Sequence, residues 1–163
     1  MLPLMRDAYN LARWLMRNER DAEDAVQEAY LKAFRFFGGL RPGTDGRAWL
    51  LRIVRNTCYS ALQERNVNSK TVALDEAGEL EDASPDPQAR LAAKTTVQTV
   101  REAIAELPAD YREALVLREL EGLSYKQISE VAGIPLGTVM SRLSRARDQL
   151  YSMLRERKEQ DQL

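Results

Sequence analysis

Apolar residues recur at intervals of three and four along most of this chain, which is the spacing of one face of an α-helix. The repeats predict helices over 4–18, 21–37, 47–65, 87–107, 109–121, 124–133 and 136–154. No stretch alternates apolar and polar residues as a half-buried strand does. The pattern therefore predicts an all-α fold of two small domains, the first with three helices and the second with four.

An acidic stretch separates the two helical halves. Residues 75–86 hold six acids and no base, together with glycine and proline residues that break helices. We expect domains at 1–66 and 89–163, joined by a flexible acidic linker at 67–88. Such a linker reaches roughly 70–80 Å when fully extended, but it averages only about 25 Å as a flexible coil.

The stretch 124–147 predicts a helix-turn-helix. Ser124 and Gln127 have the spacing of a capping box, which begins a helix, and Gly133 suits the left-handed residue that ends one. Pro135 prevents the residue before it from continuing the helix, so the second helix leaves at a sharp corner. That second helix has an apolar face formed by Leu136, Val139, Leu143 and Ala146.

Hydroxyl and guanidinium groups cover the other side of this second helix. Such groups reach base edges and phosphates when a helix lies in the major groove of DNA. A solvated amphipathic helix is the simpler alternative, but the combination of short helix, glycine corner, proline and arginines favours DNA binding. The predicted DNA-contacting residues are Lys126, Thr138, Ser141, Arg142, Arg145 and Arg147.

The N-terminal domain has two polar helix faces. The second helix points Asp24, Gln27, Glu28, Leu31 and Lys32 outward, and this face alone indicates only a surface exposed to solvent. The third helix is basic on its outer side, where arginines alternate with aromatic residues and Asn56. Aromatic rings beside arginines suit unpaired nucleic-acid bases. For Phe34, Phe37 and Trp49 we favour a core cluster, because a small domain needs large residues to fill its interior.

Composition narrows the classes of function. The net charge of the 163 residues is only −1, yet residues 141–158 include six basic and only two acidic residues. This asymmetry indicates nucleic acid as a partner. The chain has no histidine, which excludes histidine-based catalysis and histidine zinc sites. With the single Cys58 and no long apolar run, we expect a cytoplasmic protein without membrane insertion, metal or cofactor.

Three segments resemble, in order, the motifs of bacterial RNA polymerase sigma factors of the extracytoplasmic-function (ECF) subfamily. DAEDAVQEAYLKAF (21–34) is similar to the family's helix that binds the polymerase clamp. RAWLLRIVRNTCY (47–59) is similar to its promoter-melting helix. LPADYREALVLRELEGLSYKQISEVAGIPLGTVMSRLSRAR (107–147) is similar to its domain that reads the minus-thirty-five element. Three motifs in this order are more specific than a helix-turn-helix alone.

The resemblance implies a role for each surface in a promoter-specificity subunit that is not itself an enzyme. The face of Asp24, Gln27, Glu28, Leu31 and Lys32 would bind core RNA polymerase. Asn56 matches the position that lines a pocket for a flipped minus-ten base, and the loop 39–47 would help to capture the displaced strand. The residues expected at the minus-ten element are Arg41, Arg47, Arg52, Arg55 and Asn56.

The resemblance also implies partners and a constraint. The partners are core RNA polymerase, promoter DNA as duplex and as melted strand, and a separate anti-sigma factor. The two promoter elements of the family lie about two helical turns apart, roughly 70 Å, which is near the limit of the linker. We therefore expect the free chain to bind promoter DNA poorly until polymerase separates its domains.

The sequence alone is also compatible with two other classes of function. A free-standing helix-turn-helix regulator would bind a palindrome as a dimer without polymerase, and its N-terminal helices would form a dimerisation or effector domain. A helical enzyme would need clustered acids for metal-assisted chemistry, whereas the acids here lie in a linker and at helix starts. Co-purification with polymerase distinguishes a sigma factor from both.

Overall fold

A computed structural model of the chain describes residues 4–71 and 96–161. All regular structure in these two ranges is helical, as the apolar spacing predicts. The helices are α1 (Met5–Met16), α2 (Glu19–Phe36), α3 (Gly46–Thr71), α4 (Thr96–Glu106), α5 (Ala109–Leu115), α6 (Tyr125–Ala132) and α7 (Leu136–Asp161). Most of the predicted acidic linker and the helix start predicted at Pro87 lie outside the described residues.

Helices α1, α2 and α3 pack against one another as the three-helix N-terminal domain. Small and aliphatic residues on one face of each helix are buried, including Leu11, Ala29 and Val54. The chain turns sharply between α1 and α2 because Arg17 takes the left-handed conformation. The Asn18 side chain then caps α2 by accepting hydrogen bonds from the amides of Arg20 and Asp21. Helix α2 therefore begins at Glu19, two residues before the predicted start at 21, because Asn18 caps it.

Helices α4 to α7 form the C-terminal domain, with α7 packed against α4, α5 and α6. The buried Arg112 of α5 donates hydrogen bonds to the backbone oxygens of Ala105 and Leu107, so it fixes the end of α4. One π-helical turn, Val116–Leu120, continues α5. On α7 the inward face is Val139, Leu143 and Ala146 as predicted, but Leu136 is exposed because the helix begins beyond the core.

The corner between α6 and α7 has the predicted local structure. The Ser124 hydroxyl accepts a hydrogen bond from the Gln127 amide at 3.1 Å, and the Gln127 side-chain oxygen accepts one from the Ser124 amide at 2.9 Å. Gly133 ends α6 with φ +68°. The Pro135 carbonyl then accepts hydrogen bonds from the amides of Thr138 and Val139 and begins α7. This geometry fixes the direction of α7 relative to α6.

Replacing Gly133 with alanine is expected to lower the free energy of unfolding by about 1–2 kcal/mol, because a side chain disfavours the left-handed conformation. Urea titration measures this change. Gly38→Ala is the matched control, since Gly38 has no positive φ and no atom within 4 Å of an added Cβ. An equal effect of the two substitutions would contradict a special role for the corner.

The two domains pack directly against each other. Helix α3 contacts α6, and α1 contacts α5 and the π-helical turn. Buried apolar residues of both domains join in a single hydrophobic cluster. We call this packing the closed arrangement, defined by the pairs Arg47–Glu121, Arg55–Glu113 and Asp45–Gln127. Local sequence patterns do not predict this packing.

Candidate nucleic-acid interface

The outer side of α7 carries a continuous exposed stripe. Ser141 and Arg145 lie on it as predicted, together with Gly137, Met140 and Ser144. Thr138 is half-buried at the edge of the stripe, and Lys126 is exposed on α6. The positions on α7 follow one another at helical spacing and face away from the buried Val139, Leu143 and Ala146. The stripe is therefore the surface that the helix-turn-helix offers to a partner.

Two of the predicted DNA-contacting arginines on α7 are paired with acids of their own domain. The Arg142 guanidinium lies 3.9 Å from the Asp110 carboxylate, and that of Arg147 lies 3.0 Å from the Glu119 carboxylate. Both arginines flank the exposed stripe and do not lie at its centre. Arg145 makes no ion pair with the residues that the structure describes. Of the three arginines predicted to contact DNA, it is thus the one most available.

The basic side of α3 faces the C-terminal domain. Arg47 donates hydrogen bonds to Asp7 at 3.0 Å and to the Glu121 backbone oxygen at 2.7 Å. Arg52 is exposed, and its guanidinium lies 3.8 Å from the point where a Cβ on Gly133 would stand. Arg41 is exposed in the loop before α3. Arg47 and Arg52 therefore lie at the contact between the domains.

Glu113 of α5 is the centre of this contact. One of its carboxylate oxygens accepts a hydrogen bond from Arg55 Nε at 2.8 Å, and the other accepts one from the Tyr59 hydroxyl at 2.8 Å. The Arg55 guanidinium also lies over the Tyr59 ring and donates to the amide oxygen of the exposed Asn56 at 3.2 Å. Burial, followed by the Glu113 charge, raises the pKa of Tyr59, so its hydroxyl stays protonated and donates. Arg55 is thus occupied by a carboxylate of the other domain.

The outward face of α2 matches the sequence-based prediction and extends it. Asp24, Gln27, Glu28 and Leu31 are exposed. Lys32 is half-buried, lying 3.5 Å from Glu28 and donating to the Thr57 hydroxyl at 3.3 Å. Phe34, which was not predicted for this face, continues it: Leu31 and Phe34 are 68% and 70% exposed, one turn apart. An acidic surface with an apolar end is suited to binding another protein.

The expected core cluster of Phe34, Phe37 and Trp49 is wrong in two of its three members. Phe34 and Phe37 are exposed, whereas Trp49 is partly buried against the core. Phe37 contacts Trp49 edge to face, with ring centroids 6.5 Å apart. The small residues Ala25, Ala29 and Ala33 bring the helices so close together that the interior has no room for further rings.

Comparison with known proteins identifies the family. Residues 3–67 match the family profile "Sigma-70 region 2", and residues 98–150 match "Sigma-70, region 4". The chain is 39% identical over 136 residues to the ECF RNA polymerase sigma-E factor of Escherichia coli K12, covering 78% of this chain and 71% of that protein. The chain belongs to the ECF sigma factors.

Two further comparisons agree with this assignment. The ECF RNA polymerase sigma factor SigE of Mycolicibacterium smegmatis is 34% identical over 146 residues, which cover 90% of this chain and 56% of that longer protein. The sigma factor RpoE of Bartonella quintana, solved in complex with the anti-sigma factor NepR, has a TM-score of 0.74 and 29% identity and covers 94% of this chain and 93% of that one. These relatives extend the likeness to both domains of the sigma factor.

Membership of the family decides between the classes of function. As a sigma factor, the chain directs RNA polymerase to specific promoters. The alternative of a free-standing dimeric regulator is not favoured, because the N-terminal half matches region 2 and the C-terminal half matches region 4. In residues 4–71 and 96–161 no helix is long and apolar enough to cross a membrane. The same ranges contain no cluster of three or more cysteine or acidic side chains that could hold a metal ion.

The stability of the closed sigma factor should depend on pH through Glu121. Burial, with a smaller contribution from Asp7, raises the pKa of this carboxyl from 4.5 to about 7, against the opposing effect of Arg47. At a pH between the unfolded and the folded pKa, the folded state keeps a proton on Glu121 that the unfolded state releases. The stabilisation is therefore present below about pH 4.5 and is lost as the pH rises through about 7.

Urea titrations between pH 5 and pH 8 measure this effect as a falling free energy of unfolding. Glu121→Gln keeps a neutral side chain of the same size, so this variant should show a flatter pH dependence. An unchanged slope in Glu121→Gln would assign the pH dependence to other groups.

Proposed function

We propose that this sigma factor divides promoter recognition among three surfaces. The α2 face of Asp24, Gln27, Glu28, Leu31 and Lys32, extended by Phe34, binds core RNA polymerase. The basic side of α3 and the loop before it open and read the minus-ten element. The exposed stripe of α7 reads the minus-thirty-five element. The observation that carries the proposal is the match of one chain to both region 2 and region 4, in that order.

The chemistry of each surface supports its role. Arg41, Arg47, Arg52 and Arg55 can neutralise the phosphates of a melted strand, and the exposed amide of Asn56 can hydrogen-bond the edge of a flipped base. Extrusion of a base costs a few kcal/mol, which stacking and hydrogen bonding in a pocket can return. On α7 and α6, Ser141, Arg145, Thr138 and Lys126 are the groups that can reach bases and phosphates of a duplex. Arg142 and Arg147 can contribute once they leave Asp110 and Glu119.

The closed arrangement supports a second part of the proposal, namely that the free chain binds promoters poorly. Arg47 and Arg55, which we assign to the minus-ten element, are paired with Glu121 and Glu113 of the C-terminal domain. DNA would have to displace these acids. Promoter elements roughly 70 Å apart also cannot be reached by two domains in contact. Polymerase therefore has to separate the domains before both elements can be read.

The remaining assignments follow from the family. We propose domain boundaries at 1–66 and 89–163 with a linker at 67–88, a cytoplasmic location and no enzymatic activity of the chain alone. Because a structurally similar sigma factor was solved with an anti-sigma factor, we also propose that a separate anti-sigma protein holds this chain inactive.

A mobility-shift experiment tests this proposal. The chain alone and the chain with purified core polymerase are incubated with promoter DNA selected from a genomic library. We expect no specific complex with the chain alone and a specific complex with core enzyme. The α2 variant Leu31→Ala should weaken the polymerase complex, whereas Tyr151→Ala on α7, also exposed, should not. Tight binding of a palindrome by a dimer without polymerase would contradict the proposal and favour a free-standing regulator.

A further inference from the structure

An apolar patch lies on the part of α7 that faces away from the protein. Leu136 and Met140 are 50% and 53% exposed, and they are one turn apart on the first two turns of the helix. Between them, Gly137 has open space around the position of a Cβ. The apolar repeat that predicts the helix does not explain Met140, because its inward positions are Val139, Leu143 and Ala146. Met140 is therefore an exposed apolar side chain without a packing role in the domain.

Met140 lies on the same stripe as the polar residues assigned to the minus-thirty-five element. Ser141 is its neighbour, and Ser144 and Arg145 follow one turn later on the same side. A duplex that Ser141 and Arg145 contact would therefore pass close to Met140. The absence of a side chain at Gly137 allows the helix backbone and Met140 to approach the floor of the groove closely.

The groove offers few partners to a thioether side chain. Base edges in the major groove present hydrogen-bond donors and acceptors, and the C5-methyl group of thymine is their one apolar feature. Met140 has no hydrogen-bond donor, and its flexible side chain adapts to an irregular apolar surface. The arginines on either side of the stripe, Arg142 and Arg147, are paired with Asp110 and Glu119. Ser141 and Arg145 of the stripe can then contact polar base edges and phosphates, whereas Met140 and the adjacent Leu136 offer an apolar contact.

We propose that Met140 is a specificity-determining residue that contacts the 5-methyl group of one thymine in the minus-thirty-five element, with Leu136 beside it. This inference rests on the proposed function, because it requires α7 to lie in the major groove of promoter DNA. Burial of a single methyl group predicts a preference for thymine of about fourfold at that position.

Deoxyuridine substitution tests the contact, because it removes the 5-methyl group and leaves base pairing unchanged. Holoenzyme is assembled from core polymerase and the full chain, and its affinity is measured for a promoter in which each thymine of either minus-thirty-five strand is replaced in turn. We expect one substitution to weaken the wild-type complex about three- to fivefold. Holoenzyme with Met140→Ala should bind the thymine promoter more weakly than the wild type does. Its affinity should change by less than about 1.5-fold when that thymine is replaced by deoxyuridine, because the apolar contact is already gone.

Tyr151→Ala is the matched control, because Tyr151 is another exposed apolar residue of α7, about three turns further along and beyond the residues assigned to the minus-thirty-five element. It should respond to deoxyuridine as the wild type does. If Met140→Ala keeps the full sensitivity at every position, or if no substitution affects the wild type, the Met140 contact is wrong while promoter binding still supports the proposed function. If holoenzyme fails to bind the promoter at all, both the contact and the proposed function are wrong.

Discussion

Replacing Glu113 with alanine is expected to open the free sigma factor. The Glu113 side chain is only 2% exposed, and its carboxylate joins α5 to two groups of α3, Arg55 and Tyr59, each at 2.8 Å. Removing one partner of a buried ion pair costs about 3–5 kcal/mol, because the other charge is left without compensation. Separation of the domains relieves that cost by returning Arg55 to water. The population of the closed arrangement should therefore fall strongly.

Fluorescence transfer between dyes on Arg35→Cys and Arg155→Cys measures the separation of the domains. The native Cys58 does not interfere, because it is fully buried and burial raises the pKa of its thiol to about 12. Glu119→Ala is the control: it removes an exposed acid that pairs with Arg147 within the C-terminal domain, where such pairs contribute about 0–1 kcal/mol. An unchanged distance distribution in Glu113→Ala would show that this contact does not hold the domains together.

The opened variant should also bind DNA differently. Because Arg55 is released, the Glu113→Ala variant without polymerase should bind a single-stranded minus-ten oligonucleotide more tightly than the wild type. Its affinity should rise by roughly the same factor as the fraction of molecules with separated domains. The effect should vanish in holoenzyme, where polymerase has already separated the domains. A variant that opens without any gain in DNA binding would confine Glu113 to a structural role.

Asn56→Ala should cause the largest loss of promoter opening among the polar residues of α3. Asn56 is exposed, and in the closed arrangement its amide oxygen only accepts a hydrogen bond from Arg55, so the fold does not depend on it. Loss of hydrogen bonds to a flipped base costs about 1–3 kcal/mol, which corresponds to a decrease of roughly 5- to 150-fold in open complex. Permanganate reactivity of the minus-ten thymines measures that loss.

Ser60→Ala is the matched control for Asn56→Ala, because Ser60 is exposed on the same helix one turn further on. It should open promoters normally. Both variants should bind core polymerase as the wild type does, since neither lies on the α2 face. A fall in polymerase binding with normal opening would place Asn56 in a different interface.

Local chemistry made much of the fold predictable. The capping box at Ser124 and Gln127, the left-handed Gly133 and the start after Pro135 are all determined by neighbouring residues, so the corner could be predicted without tertiary information. The all-α class followed in the same way from the spacing of apolar residues. The family followed from three motifs in order, which depend on the sequence alone.

What could not be predicted depends on contacts between distant parts of the chain. Nothing in the sequence near Glu113 or Arg55 indicates that they meet, because 58 residues separate them. Helical periodicity also does not show where a helix leaves the core, so it predicts an inward Leu136 and does not reveal the exposed Met140. Phe34 is a second example. Its large apolar side chain favours a place in the core, but it follows the buried Ala33 by one position and so lies on a different side of α2.

The role of the chain as a promoter-specificity subunit is tested most directly by transcription from a defined start. Core RNA polymerase is supplied with the purified chain and a library of genomic fragments, and the 5′ ends of the transcripts are mapped. This role predicts initiation at a limited set of positions that share two upstream elements about two helical turns apart, and no such transcripts from core enzyme alone. Identical transcripts with and without the chain would contradict it.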